Sequence, residues 1–205
     1  MSNIFNFHGG SILAIKGKNC VAIAMDRRLG AQYKTVSTTF QRVFKMTDKC
    51  LAGFIGLGGD VQTIGADLKY KLNLYALKEN RQIQPKTLSW LISNMLYGRR
   101  FGPYFIEPLV AGLDENNEPY ISTSDSIGCM TDGDNFFCIG TASELMLGAC
   151  ESFVKPDLEA EELFEVASQC LLSALDRDAF SGWGAVVYII TPAGITARTL
   201  KARMD

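Results

Sequence analysis

The stretch from Gly9 to Arg28 constrains the fold more than any other part of this chain. It reads as two short apolar strands, residues 11–16 and 20–25, joined by the polar turn Gly17-Lys18-Asn19. Gly17 and Asn19 are residue types that accept the positive φ a tight hairpin needs. The second strand is apolar on both faces, so it belongs inside a sheet covered on both sides. Asp26, Arg27 and Arg28 follow at its end, where burial stops and chemistry or contact can begin.

The rest of the chain supplies the covers in blocks. Short strands are predicted at 34–37, 43–46 and 50–55, separated by polar turns. Gly56-Leu57-Gly58-Gly59-Asp60 interrupts them, and from Val61 the period becomes helical, with Val61, Ile64, Leu68, Leu72 and Tyr75 on one face to about Asn80. Pro85 can open a second helix, whose apolar face runs through Leu88, Leu91, Ile92, Met95 and Leu96 to Gly98. Strands follow at 107–113, 119–123 and 135–139, then helices at 143–153 and 159–175, with Leu163, Val166, Cys170 and Ala174 as the inner stripe of the last. Strands at 184–190 and 195–200 close the chain around Pro192-Ala193-Gly194. Two helix pairs and separate strand blocks predict an α+β fold in four layers, two stacked sheets between helix layers. A doubly wound sheet would alternate strand and helix, which these blocks do not. No repeat or linker divides the chain, so one domain is expected.

Composition excludes several classes of function. A net charge of −2 over 205 residues offers no basic field for nucleic acid. His8 is the one histidine, which removes histidine-based zinc sites and any Ser-His-Asp triad not built on His8 itself. The six cysteines stand singly, mostly in apolar runs and without C-x-x-C spacing, as reduced buried thiols of an intracellular protein would. The N-terminus has no signal-peptide pattern, and no window approaches the roughly eighteen apolar residues that span a membrane. A soluble cytosolic or nuclear protein is expected.

Three constellations remain. Gly56-Leu57-Gly58-Gly59-Asp60 lacks the Lys-Ser/Thr of a nucleotide loop, but it exposes backbone amides at a helix N-terminus, able to hold an anion or an oxyanion. Arg177-Asp178-Ala179-Phe180-Ser181-Gly182 can hold a turn through Asp178 and Ser181. Asp26-Arg27-Arg28 can form an ion-pair node inside the fold. None is decisive singly, and a generic anion-binding module stays open at this point.

Their joint order resembles one family, the proteasome beta subunits. The matching pieces are the strand pair ending in Asp26-Arg27-Arg28, then Arg42, then Gly56-Leu57-Gly58-Gly59-Asp60, Ile139-Gly140-Thr141-Ala142 and Asp178-Ala179-Phe180-Ser181-Gly182. Lys16-Gly17-Lys18-Asn19-Cys20-Val21-Ala22-Ile23, Arg99-Arg100-Phe101-Gly102-Pro103-Tyr104 and the tail Arg198-Thr199-Leu200-Lys201-Ala202-Arg203-Met204-Asp205 extend the resemblance over nearly the whole length. It implies the α-β-β-α sandwich of the N-terminal nucleophile hydrolases, with residues 1–9 as a short leader and 10–205 as the family domain.

Active members of that family expose an N-terminal threonine whose hydroxyl attacks the peptide carbonyl, helped by its own amine and a lysine. The resemblance puts Gly10 at the threonine position and Arg42 at the lysine position. A glycine supplies no nucleophile, and an arginine keeps its proton near neutral pH. Asp26, Asp178 and Ser181 match supporting residues, Thr141 replaces a serine, and Gly56 falls where an amide forms the oxyanion hole. A noncatalytic subunit is implied, building the beta ring of the 20S core in ATP- and ubiquitin-dependent degradation. The alternative is cleavage behind Gly10 to unmask Ser11, but Ser11 lies one position late and would point to the opposite strand face.

The implied partners are beta subunits of the same and the opposite ring, alpha subunits and assembly chaperones, in cytoplasm and nucleus. Asp125 and Cys129, in Thr123-Ser124-Asp125-Ser126-Ile127-Gly128-Cys129, fall at the wall of a neighbouring trypsin-like site, although Asp125 can equally cap a turn. No cofactor is required. The loop at 178–181 can carry a structural magnesium ion in some members, and Asp205 is the candidate carboxylate for it.

Overall fold

The computed structural model describes residues 4–204. A 3-10 turn at Ile4–Asn6 precedes the strands β1 (Ser11–Lys16), β2 (Val21–Asp26), β3 (Leu29–Ala31), β4 (Lys34–Ser37), β5 (Val43–Thr47) and β6 (Cys50–Gly56). The helices α1 (Gly58–Glu79) and α2 (Pro85–Tyr97) follow, then β7 (Ile106–Leu113), β8 (Pro119–Ser124), β9 (Met130–Asp132) and β10 (Phe136–Gly140). The chain closes with α3 (Ser143–Phe153), α4 (Ala160–Leu175), β11 (Ala185–Thr191) and β12 (Gly194–Leu200).

Strand parity sorts the core into three layers of contact. One sheet has the order β10-β1-β2-β11-β12 and the other β5-β6-β7-β8-β9, with β3-β4 forming a separate small ribbon. Along β1, Leu13 and Ile15 pack toward α3 and α4, while Ile12 and Ala14 face the second sheet. Along β6, Leu51 and Ile55 face the first sheet, whereas Cys50, Ala52 and Phe54 pack against α1 and α2. The alternation is the period-2 geometry of a strand with both faces buried. It yields the four layers, helix pair, sheet, sheet, helix pair. As the pattern required, β2 is central in its sheet and buried at every position.

Local chemistry sets the helix ends. Pro85 sits in the first turn of α2, where a missing amide costs nothing. Glu159 and Glu162 form a reciprocal capping box on α4. Asn80 closes α1 in the left-handed region at φ 52°.

The structure departs from the sequence expectations in three places. Helix α1 begins at Gly58, so the glycine-rich stretch is partly the helix's own first turn. The strands β3 and β9 were not anticipated, because three residues carry no readable alternation. In the first turn Asn19 has φ 53°, but Gly17 has no positive φ. Gly17 is needed there for room: a Cβ would lie 2.6 Å from the Leu158 carbonyl oxygen and 2.7 Å from Cys20 Sγ.

Candidate functional site

The end of β2 carries Asp26 into an interior with no solvent exposure. Its carboxylate accepts three backbone amides: Ser11 N at 3.0 Å on Oδ1, and Arg28 N and Gly182 N, each at 3.2 Å, on Oδ2. Arg42, just before β5, places Nη1 3.2 Å from Asp26 Oδ1, with both side chains buried. Nη1 has no aligned hydrogen-bond acceptor, so the contact is one of charge. Burial pushes the Asp26 carboxyl above its ordinary range, while Arg42 and the three amides pull against it. Arg42 is lowered by the same burial, with Asp26 opposing. A guanidinium nevertheless stays charged in a protein.

Arg42 also holds the chain ahead of β1. Its Nη2 donates to the Gly9 carbonyl at 3.0 Å and to the Arg28 carbonyl. Gly10 has φ +116°, and a Cβ there would lie 2.4 Å from Arg42 Nε and 2.5 Å from Cζ. The guanidinium therefore stands in the volume that any side chain at position 10 would occupy. Ser11, the next residue, faces the other way. Its buried Oγ accepts the Ala142 amide at 3.0 Å, ahead of α3.

A second node faces this one across Gly10. The Gly10 carbonyl accepts Thr141 N at 3.0 Å and has Thr141 Oγ1 3.4 Å away. Thr141 Oγ1 and Ser181 Oγ, both at 2.5 Å, donate to Asp178 Oδ2, and Phe180 N donates to Oδ1 at 3.1 Å. Asp178 thus makes the turn that Asp and Ser three residues apart suggested, and it also reaches Thr141. Gly56 ends β6 with φ +124°, and a Cβ would strike the Phe105 carbonyl oxygen at 2.1 Å. Gly10, Asp26, Arg42, Thr141, Asp178 and Ser181 are linked in one hydrogen-bonded and ionic network.

The sequence reading did not single out Arg28 as the hub it is. Buried at 2% exposure, it donates to Thr35 Oγ1, the Phe180 carbonyl and the Gln32 carbonyl, tying the β3-β4 ribbon to the Asp178 loop. Phe7 and His8 are tied in too, through Gln32 N to the Phe7 carbonyl at 2.8 Å and His8 Nδ1–H to the Gly30 carbonyl at 2.7 Å. No sequence signal separates Arg28 from its neighbour Arg27, since both stand at a strand end.

A family model described as proteasome subunit matches residues 6–190. The chain belongs to the proteasome subunit family. Proteasome subunit beta type-3 of Picea mariana is 51% identical over 203 residues, covering 99% of this chain and 100% of that protein. The Drosophila melanogaster protein of the same name is 50% identical over 204 residues, with the same coverage. A probable proteasome subunit beta type-3 of Schizosaccharomyces pombe is also 50% identical, over 203 residues, again at 99% and 100% coverage.

Two further features of this proteasome-family chain lie off the network. Asp125 and Cys129 are both exposed, and Asp125 Oδ1 accepts Ile127 N at 3.0 Å and Cys129 N at 2.8 Å, closing the turn between β8 and β9. Beside the Asp178 loop lies a cavity of about 100 Å³, lined in part by Asp176, Asp178, Ser181 and Arg203. Asp205 lies outside the described residues.

Proposed function

We propose that this chain is a noncatalytic, structural beta subunit of the 20S proteasome core particle, within ATP- and ubiquitin-dependent protein degradation. The observation that carries the reading is the Arg42 guanidinium seated where a side chain at position 10 would be. The chemistry of the family needs a hydroxyl there and a lysine able to pass a proton. This chain has neither, while the scaffold of Asp26, Thr141, Asp178 and Ser181 is kept as a rigid structural knot. The alternative of an active hydrolase through Ser11 gains nothing, because that hydroxyl accepts an amide on the helix side of the sheet.

Intact mass and N-terminal sequencing of the chain from its native particle test this directly. The expected result is a chain that retains residues ahead of Ser11 and takes no label from electrophiles aimed at N-terminal nucleophiles. A chain that starts at Ser11 and is labelled overturns it.

The same proposal assigns the partners as beta subunits of its own and the opposite ring, alpha subunits and assembly chaperones, in cytoplasm and nucleus. Exposed apolar side chains on α1 and in the turn after α2 support it: Leu77 is 77% and Phe101 95% exposed, as expected of surfaces that partners cover. No helix among the described residues is long and apolar enough to cross a membrane.

Asp125 and Cys129 are proposed to shape the substrate pocket of a neighbouring trypsin-like site. Asp125 does cap its turn, but that occupies Oδ1 and leaves the charge on an exposed residue. An Asp125→Asn variant keeps an acceptor for the turn and removes the charge. Assembled particles carrying it should show KM for basic peptides raised about two- to fivefold, the scale of an exposed charge pair, with other cleavage activities unchanged. An unchanged KM removes the pocket role.

No cofactor is required, and a structural magnesium ion is proposed for the cavity beside Asp178. Magnesium takes oxygen ligands, and Asp176, Asp178 and Ser181 bring oxygen there. Among the described residues no three His, Cys, Asp or Glu side chains cluster for a metal, so backbone carbonyls and water would complete the shell. Asp205 is proposed as its carboxylate partner. Elemental analysis of the dialysed particle reads the ion, and a magnesium-free particle sinks the assignment.

A further inference from the structure

Three thiols from three elements meet on the helix-facing side of the first sheet. Cys138 of β10, Cys150 of α3 and Cys170 of α4 belong to one apolar cluster. Cys138 Sγ lies 3.9 Å from Cys150 Sγ, and Cys170 packs in the same apolar cluster as Cys150. Cys150 and Cys170 are fully buried, whereas Cys138 is partly open. The other buried thiols behave differently: Cys20 and Cys50 each point at a backbone carbonyl. Cys129 stands apart on the surface.

We propose that Cys138, Cys150 and Cys170 form an oxidation site, in which hydrogen peroxide joins Cys138 to Cys150 and Cys170 receives the disulfide by exchange. Cys138 is the entry because it is the member of the trio with solvent access. Its sulfur attacks the peroxide, the O–O bond breaks, one oxygen stays as sulfenic acid, and the other leaves as water with the thiol proton. The Cys150 sulfur then attacks the sulfenic sulfur. The S–S bond forms, the S–O bond breaks, and a second water leaves with the Cys150 proton. Two thiols and one peroxide have become one disulfide and two waters.

Attack by Cys170 on the Cys150 sulfur next moves the bond inward and returns a proton to Cys138, with no net redox change. Thiol–thiol contact and burial raise both Cys150 and Cys170, so each must shed its proton to attack, and Cys138 is left as the point of entry. Closing the observed contact to a disulfide needs the two sulfurs to approach by roughly 2 Å. The first bond would fasten edge strand β10 to α3, two residues before the Gly140-Thr141 segment that holds Gly10.

The test treats the native particle with hydrogen peroxide, blocks free thiols, and maps cross-linked peptides without reduction. The expected product is this chain about 2 Da lighter, with a Cys138–Cys150 or Cys150–Cys170 cross-link, reversed by dithiothreitol. Cys150→Ala should abolish both cross-links, and Cys170→Ala should leave only the first. Cys138→Ala should slow oxidation at least tenfold. Sulfinic or sulfonic acid on Cys138 without any cross-link overturns the proposal. So does a cross-link that survives Cys150→Ala.

Discussion

A Gly10→Thr variant is expected to gain no peptidase activity and to lose stability, although it restores the residue that active family members use. Position 10 has φ +116°, which costs a threonine about 1–3 kcal/mol in strain. Its Cβ would sit 2.4 Å from Arg42 Nε, and overpacking of that kind adds about 1–3 kcal/mol. The combined loss of about 2–6 kcal/mol is a large fraction of the stability of a typical domain. Recovery of the chain in assembled particles, their thermal midpoint, and labelling by an N-terminal electrophile are the readouts. Adding Arg42→Lys to the same chain should recover part of the loss, since the slimmer lysine returns volume at the contact. A single variant as stable as wild type would show that Arg42 yields freely, and the reading of a sterically closed site would fall.

The second large effect is expected from Arg42→Met. Methionine keeps most of the volume but leaves Asp26 as a buried carboxylate without its cation, a change that costs about 3–5 kcal/mol. The loss carries a pH signature. Burial already raises Asp26, and Arg42 is the largest influence opposing it, so the variant's carboxyl rises further. A folded value above the unfolded one means that the folded chain binds the proton more tightly. That contribution is fully present below the unfolded carboxylate value near 4 and is lost as pH rises through the raised folded value. The defect of Arg42→Met should therefore be larger at about pH 8 than at about pH 5, measured as a difference in thermal midpoint from wild type. A defect of equal size at both would mean that Asp26 is not the group left uncompensated.

Much of this arrangement was legible because the apolar pattern leaves few options. A strand such as Val21–Asp26, apolar on both faces, has to sit between two covers, which are the Leu163–Ala174 stripe on one face and the second sheet on the other. Asp178 and Ser181 read as a turn from spacing alone, because an Asp side chain reaches the amide two residues on. The reading was weakest where elements are short or where a residue's reason is spatial. Gly17 looked like a φ requirement and proved to be a clearance beside Leu158 and Cys20. Arg28 could not be told from Arg27, since its three acceptors come from Thr35, Gln32 and Phe180, the last far along the chain.

The chain's own residue pattern dictates the two-sheet, two-helix-layer fold, the family, and the absence of a hydroxyl and a lysine at positions 10 and 42. These follow from local periodicity and residue identity, which need no partner to be read. That the two absences are one feature follows from the packing of the folded chain. Gly10 and Arg42 are far apart in sequence, and they interlock because each precedes a strand that starts beside Asp26 at the end of β2. Interiors are close-packed, so the volume missing from a glycine is taken by a neighbour, and here the neighbour is a guanidinium anchored by Asp26. The meeting of Cys138, Cys150 and Cys170 has the same origin: three residues unremarkable in sequence are brought together by the packing of a helix pair on a sheet.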